Sequence, residues 1–360
     1  MSFQKVLFLI ASLGLALCPN KPDEEANFSG QLFLKSQLLE QPIYLAQGMA
    51  DRQHSVSVNS NTVFDIASLN KSFIANLVLQ AVAEGRWDLK TELNYLLELY
   101  GFDARFKPGT TLHLMLCHRS GLGDYDDLPE DYHQDEFRLF KRLHFNNDEY
   151  LSFLAQVKQT EPGRDFHYSN FAYHILPILL EAEYGLSFQE ILQKKIAEPL
   201  GMKAIYAPSS QREIIPHLAV GYRLENGQFK ANDYIDLSLG RRIFCRAQEL
   251  MLWLESGGGR SLIPDSLAAL VMQNHLQDFA SNKSYGYGWV YYPKGAHYEM
   301  GDLNLDQSYF IHGGSTEGFQ SLAISVNNGE SNLVLLANNG DGKALFERAK
   351  SILKNLYEKD

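Results

Sequence analysis

Three cysteines in 360 residues, Cys18, Cys117 and Cys245, are too few for a disulfide framework. Cys117 and Cys245 could pair in an oxidising compartment, but two buried free thiols are the simpler reading. Cations are scarce as well: 32 Lys+Arg face 43 Asp+Glu, and the formal net charge of −11 argues against a nucleic-acid binder steered by a basic surface. No internal repeat or low-complexity tract is present, and neither a Gly-x-Ser-x-Gly elbow nor a His-Glu-x-x-His pair occurs. His113 and His118 are five apart on a short helix, a poor spacing for a shared metal face, so neither a metal nor another cofactor is expected. His118 with Ser120 reads better as the tie of a loop. What the chain does have is apolar material: 45% hydrophobic and 21% charged residues, enough for a sizeable core and outside the disordered classes.

A long uncharged run lies at the start. In MSFQKVLFLIASLGLALC, Lys5 precedes an apolar stretch from Val6 to Cys18, too short for a spanning helix and of the length of a secretory signal. Residues 1–18 therefore read as a signal peptide and 19–27 as a polar leader, with the folded domain over 28–357. The end of the signal resembles that of a bacterial lipoprotein, although Leu17 is larger than the small residue usual there. Two outcomes stay open: lipid attached at Cys18, leaving the protein anchored in the periplasm by its acyl chains alone, or release as a periplasmic or secreted protein.

Residues 28–63 have short apolar runs broken by turns, which predict two or three antiparallel strands. Then the texture changes. Asp65 to Gly85 places Phe73, Leu77, Ala81 and Glu84 a helical turn apart and predicts an internal helix of about five turns closed by glycine. Further helices are expected at Leu112 to Cys117, Asn147 to Gln156, Ser169 to Tyr184 and Phe188 to Ala197, making 89–203 a mainly helical subregion. AVGYRLENGQF is a hairpin signal, and Glu249 to Ser256 and Pro264 to Asn274 read as helices. SYGYGWVYYP, SYFIHGG, GFQSLAISVNN and SNLVLLANN are strand-like, and Leu345 to Leu356 is a closing amphipathic helix. Strands at both ends with helices between them imply an α+β fold: a central antiparallel sheet built from both chain ends, flanked by helices, with a largely helical region inserted.

Three motifs carry chemistry. Ser68-Leu69-Asn70-Lys71 puts a hydroxyl and an amine three residues apart, on one helical face. A serine at a first helical turn also has orphan backbone N–H groups nearby, suited to a developing oxyanion. The plain alternative is an N-cap serine with a surface lysine, but Lys71 runs into FIANLVLQAVA, where a lysine needs a reason. The second motif is Tyr168-Ser169-Asn170, otherwise a helix cap. The third is His312-Gly313-Gly314-Ser315, otherwise a glycine-rich hairpin. Their occurrence together, in this order, is harder to assign to chance than any one alone.

Together with its surroundings this set resembles the serine hydrolases related to class C β-lactamases, D-alanyl-D-alanine carboxypeptidases and esterases. The likeness runs through FDIASLNKSF, EGRWDLKTEL, LMLCHRSGLGDY, PGRDFHYSNFAYHIL, EPLGMKAI, YGYGW and HGGSTEGF. The resemblance implies a β-lactamase/transpeptidase-like fold and an acyl-enzyme mechanism. Ser68 would be the nucleophile and Lys71 its base partner, while Tyr168 would shuttle the proton to the leaving group; which of the two is the principal base stays open. Asn170 would bind a substrate amide or orient Lys71. His312, Gly314 and Ser315 would line the substrate strand, with the Ser68 and Ser315 N–H groups as oxyanion hole.

The family's usual Lys-Thr-Gly here reads His312-Gly313-Gly314. A histidine carries less positive charge at neutral pH than lysine and glycine has no side-chain donor, so the clamp for a substrate carboxylate is weakened. The implied activity is hydrolysis of esters or of D-Ala-D-Ala-type amides, with a peptidoglycan stem peptide as one candidate partner. A true β-lactamase and a silent penicillin-binding-like sensor are the alternatives. Any activity on carboxylate-bearing substrates is expected to rise from pH 8 to pH 6 as His312 gains charge.

Overall fold

The computed structural model describes residues 28–128, 146–210, 212–231, 242–276, 282–316 and 318–357. The signal and leader readings, and Cys18 with them, lie outside the described residues.

The alternating runs at the two ends of the chain become neighbours. Strands β1 (Gly30–Ser36), β2 (Ile43–Gln47), β3 (Met49–Asp51), β4 (Val56–Ser57) and β5 (Phe64–Asp65) precede the helical region. After it come β6 (Ile205–Tyr206), β7 (Tyr222–Glu225), β8 (Gln228–Ala231), β9 (Phe244–Cys245), β10 (Val290–Tyr292), β11 (Tyr309–Thr316), β12 (Phe319–Val326) and β13 (Ser331–Ala337). The main sheet is six-stranded in the order β10-β11-β12-β13-β1-β2, antiparallel at every pair. The fold is therefore α+β, with the central antiparallel sheet drawn from both termini.

Helices cover both faces of the sheet, so its inner strands are buried on both sides rather than on one. Every residue of β12 and β13 is buried. Leu333 and Leu335 of β13 join the core under the closing helix, whereas Val334 and Leu336 join the larger core of the helical side. The helices are α1 (Asn70–Ala83), α2 (Leu93–Leu99), α3 (Leu112–Leu116), α4 (Asn147–Gln156), α5 (Asn170–Tyr184), α6 (Phe188–Leu192, continued by a π-helical turn Gln193–Ala197), α7 (Ala247–Glu255), α8 (Asp265–Val271) and α9 (Gly342–Tyr357). Ser169 caps α5, accepting the Ala172 N–H at 3.1 Å. The hairpin β7–β8 turns through Asn226 and Gly227, both at positive φ, as its Asn-Gly signal predicts. No helix among the described residues is long and apolar enough to cross a membrane. Cys117 and Cys245 are buried free thiols, not a pair.

Three expectations need correction. The helix expected from Asp65 starts at Asn70: Phe64–Asp65 pairs with β9, and Ala67 sits at φ 50°, so a strand and a 3₁₀ turn stand where the pattern suggested helix. The stretch SYGYGWVYYP is strand only over Val290–Tyr292. Gly288 lies outside it at φ 73°, packed so closely under α1 that a Cβ there would sit 2.6 Å from Ser72 Cα. Helix α2 was not foreseen.

Helix α1 is buried nearly all round, as its sequence implied. Phe73 stacks on Trp253 of α7 with centroids 4.1 Å apart, and Trp253 Nε1 donates to Ser72 Oγ at 3.0 Å. Gly288 is what lets the chain before β10 pack as a close wall against α1. Gly288→Ala should destabilise the protein by about 2 kcal/mol, since a clash and a left-handed backbone combine there. A thermal midpoint unchanged by that substitution would show that the wall can yield.

Candidate active site

Ser68 lies in the 3₁₀ turn Ala67–Leu69 that leads into α1. The turn is held from below by Asp65, which is fully buried. Its Oδ1 accepts the Ala67 N–H at 2.8 Å, its Oδ2 accepts the Thr316 hydroxyl at 2.9 Å, and Arg242 forms an ion pair with it. One carboxylate thus ties the left-handed residue before Ser68 to the end of β11. From the other side the Ser321 hydroxyl donates to Ile66 O at 2.6 Å. At Gly314 a Cβ would lie 2.7 Å from Ser68 N and 2.5 Å from Ile66 O, so only glycine lets β11 run this close to the Ser68 backbone.

Lys71, one turn on, is 2% exposed. Its Nζ donates to Ser68 Oγ at 3.1 Å and to Asn170 Oδ1 at 2.8 Å. It also lies 4.9 Å from the centroid of the Tyr168 ring and 5.6 Å from that of Tyr173. Three of the residues singled out from sequence are therefore joined in one hydrogen-bonded chain, with Tyr168 beside it. Tyr168, Ser68, His312, Gly313, Gly314 and Ser315 all line a single cleft of about 500 Å³. The cleft continues over an apolar wall of Met300, Ile311, Leu322, Leu345 and Phe346.

His312 is 6% exposed. Its Nδ1 lies 2.7 Å from Gly313 O, which can only accept, so Nδ1 carries the proton; Nε2 then accepts from the Tyr285 hydroxyl at 3.1 Å. Burial, with the nearby charge of Lys71, pushes its pKa down to about 3. The expectation that His312 gains charge between pH 8 and pH 6 does not hold: its neutral form persists through that range.

Two loops meet behind Lys71. His118 is fully buried and, through Nδ1, accepts the Ser169 N–H at 3.1 Å. Burial holds this ring well below the usual histidine range. Its face stacks on Tyr168 with centroids 4.1 Å apart. His118 therefore ties a loop, as expected, but its partner is Ser169; Ser120 Oγ instead accepts the Leu122 N–H at 3.3 Å. Asp124 was missed by sequence reasoning. Its Oδ1 accepts the Asn170 backbone N–H at 3.2 Å and its Oδ2 the Asn170 side-chain amide at 2.9 Å. The only sequence signal for it was its place in RSGLGDY. Asp65 had none. Among the described residues no group of three or more ligating side chains could hold a metal ion.

Comparison with known proteins adds to this geometry. A model of the Beta-lactamase family matches residues 39–356. A beta-lactamase of Providencia stuartii is 26% identical over 212 residues, which are 58% of this chain and 50% of that protein. Esterase EstB of Burkholderia gladioli is 30% identical over 166 residues, 44% of this chain and 42% of the esterase. The chain spans about half the length of these curated relatives. Among solved structures, a penicillin binding protein from Bacillus halodurans has a similar fold, with TM-score 0.76 and 23% identity over 92% of this chain and 98% of that one.

Proposed function

We propose that this chain, which belongs to the beta-lactamase family, is a serine hydrolase that cleaves neutral esters through an acyl-enzyme on Ser68. The observation that carries the reading is Lys71 Nζ placed between Ser68 Oγ and Asn170 Oδ1. A hydroxyl becomes a useful nucleophile when a neighbouring group takes its proton as it attacks. In the proposed sequence Ser68 Oγ bonds to the ester carbonyl carbon while its proton passes to Lys71 in its free-amine form, either directly or through the Tyr168 hydroxyl, which takes the proton of Ser68 as it hands its own to the amine. The carbonyl oxygen gathers negative charge against the N–H groups of Ser68 and Ser315. Collapse breaks the bond to the alcohol, which leaves with a proton from Tyr168, and Tyr168 regains one from Lys71. Water then attacks the acyl-enzyme, the same groups take its proton, and the acid and free Ser68 are released.

The substrate class follows from what surrounds Ser68. The neighbouring His312 is neutral, and the cleft wall beyond Gly313 is apolar. Charge-assisted hydrogen bonds are roughly twice as strong as neutral ones, so a neutral group at position 312 weakens the hold on an anionic substrate more than on a neutral one. A second class, short peptide amides, is favoured by one observation: β10 pairs with β11 only over Tyr309–Ile311, and an extended backbone could add alongside the segment from His312 onward. The test compares kcat/KM for an aryl acetate, a D-Ala-D-Ala peptide and penicillin G between pH 8 and pH 5. The ester is expected to lead. The ratio of anionic to neutral substrate should stay flat, because a histidine with a pKa near 3 is uncharged across that range. Penicillin ahead of the ester, or a ratio rising severalfold toward pH 5, would overturn the assignment.

A further inference from the structure

Asn170 has one amide with two ends, and which end faces Lys71 decides whether the lysine has an acceptor or a competing donor. Nothing in Asn170 itself fixes that choice. The structure fixes it from behind: Asp124 Oδ2 takes the amide nitrogen at 2.9 Å, so Asn170 Oδ1 is left facing Lys71 Nζ at 2.8 Å. The other oxygen of Asp124 takes the backbone N–H of the same residue at 3.2 Å, which fixes the carboxylate as well.

The loop that carries Asp124 is built to hold it still. Its own N–H is accepted by Asp127 Oδ2 at 3.0 Å, closing a reciprocal cap on the turn Tyr125–Asp127. Asp127 in turn pairs with His167 at 2.9 Å. Just before it, Ser169 Oγ donates to Gly123 O at 2.8 Å. A Cβ at Gly123 would lie 2.5 Å from Lys158 O, so the loop is pressed against the chain that leads to Tyr168. Burial raises the pKa of Asp124, while the Tyr125 and Asn170 N–H groups and the charge of Lys71 favour its ionised form.

From this chain of contacts we propose that Asp124 is a positioning residue for acyl transfer: it sets the orientation of the Asn170 amide, and through it the place of Lys71 beside Ser68. The proposal rests on the reading of Ser68 as nucleophile. It is distinct from a loop anchor because its effect must pass through Lys71. In Asp124→Asn one carboxylate oxygen becomes an amide NH2 group, a donor that faces either the backbone N–H or the side-chain N–H of Asn170. Asn170 then turns or withdraws, and Lys71 loses its acceptor.

The experiment is a double-mutant cycle read by the rate at which a small fluorophosphonate labels Ser68, a probe that makes few binding contacts of its own. D124N should label at least about tenfold more slowly than wild type, the scale of loss that a displaced reacting group brings. In a Lys71→Met background the same substitution should change the rate less than twofold, because the group it acts through is gone. An equal loss in both backgrounds would make Asp124 a structural anchor only and overturn the proposal, as would a D124N rate within threefold of wild type. Should D124N fail to fold, Asp124→Ser, whose hydroxyl can still accept the Asn170 backbone N–H, runs the same cycle with the same outcomes. Failure of the underlying reading looks different: wild-type protein would then not be labelled at Ser68 at all.

Discussion

Ser68→Ala should leave the protein folded and unlabelled by a fluorophosphonate, with ester turnover lower by about 10³-fold or more, as when other serine hydrolases lose the nucleophile. The expectation is specific because nearby hydroxyls are otherwise engaged. Ser72 Oγ donates to Leu69 O at 2.8 Å and accepts from Trp253. Ser321 Oγ donates to Ile66 O. Ser315 Oγ accepts the Gln320 amide at 2.8 Å and lies on the substrate strand. Ser68 alone among them has an amine at 3.1 Å. Alanine removes one oxygen from a half-buried side chain and leaves the Asp65 and Ser321 contacts that shape the turn. Peptide mapping of the adduct is the check. A label on Ser315 or Ser72 with Ser68 untouched, or turnover in S68A within threefold of wild type, would move the nucleophile elsewhere.

That Ser68 and Lys71 meet was legible because helical geometry alone brings residues three apart to one face. Tyr168 and Asn170 were legible through the family resemblance alone, since the cap between them, Ser169, announces a helix start and says nothing of chemistry. The sheet was legible too, because strand-like runs bounded by Gly and Asn turns stand at both ends of the chain. What sequence could not show is what depends on contacts between distant segments. Asp65 looks like the first residue of a helix until its pairing with Phe244 is known. Asp124 looks like a turn residue until Asn170 is folded against it. His312 was read with the charge of an exposed histidine, whereas its burial between Tyr285 and the Gly313 carbonyl pushes its pKa down to about 3. Spacing along the chain encodes local geometry; desolvation and cross-chain partners decide protonation.

Lys71 supplies the other large effect. A lysine that is 2% exposed costs free energy to bury unless its polar end is satisfied, and here Ser68, Asn170 and the faces of two tyrosines surround it. Replacing such a group by an apolar one of similar shape is often neutral or stabilising, so Lys71→Met should unfold within a few degrees of wild type. Its labelling rate at Ser68 should nevertheless fall by about 10²- to 10⁴-fold, the usual contribution of a positioned proton acceptor. Stability and rate are thereby expected to part company, which a residue serving only the core would not allow. Tyr168→Phe, measured alongside, divides the proton's route. If Lys71 takes the proton from Ser68 and Tyr168 delivers it to the leaving alcohol, Y168F should slow aryl esters, whose leaving groups need little protonation, less than alkyl esters, whereas K71M should slow both alike. Equal losses for the two ester types in Y168F would make the phenol part of the base itself, and a K71M rate within threefold of wild type at unchanged stability would remove the lysine from proton transfer.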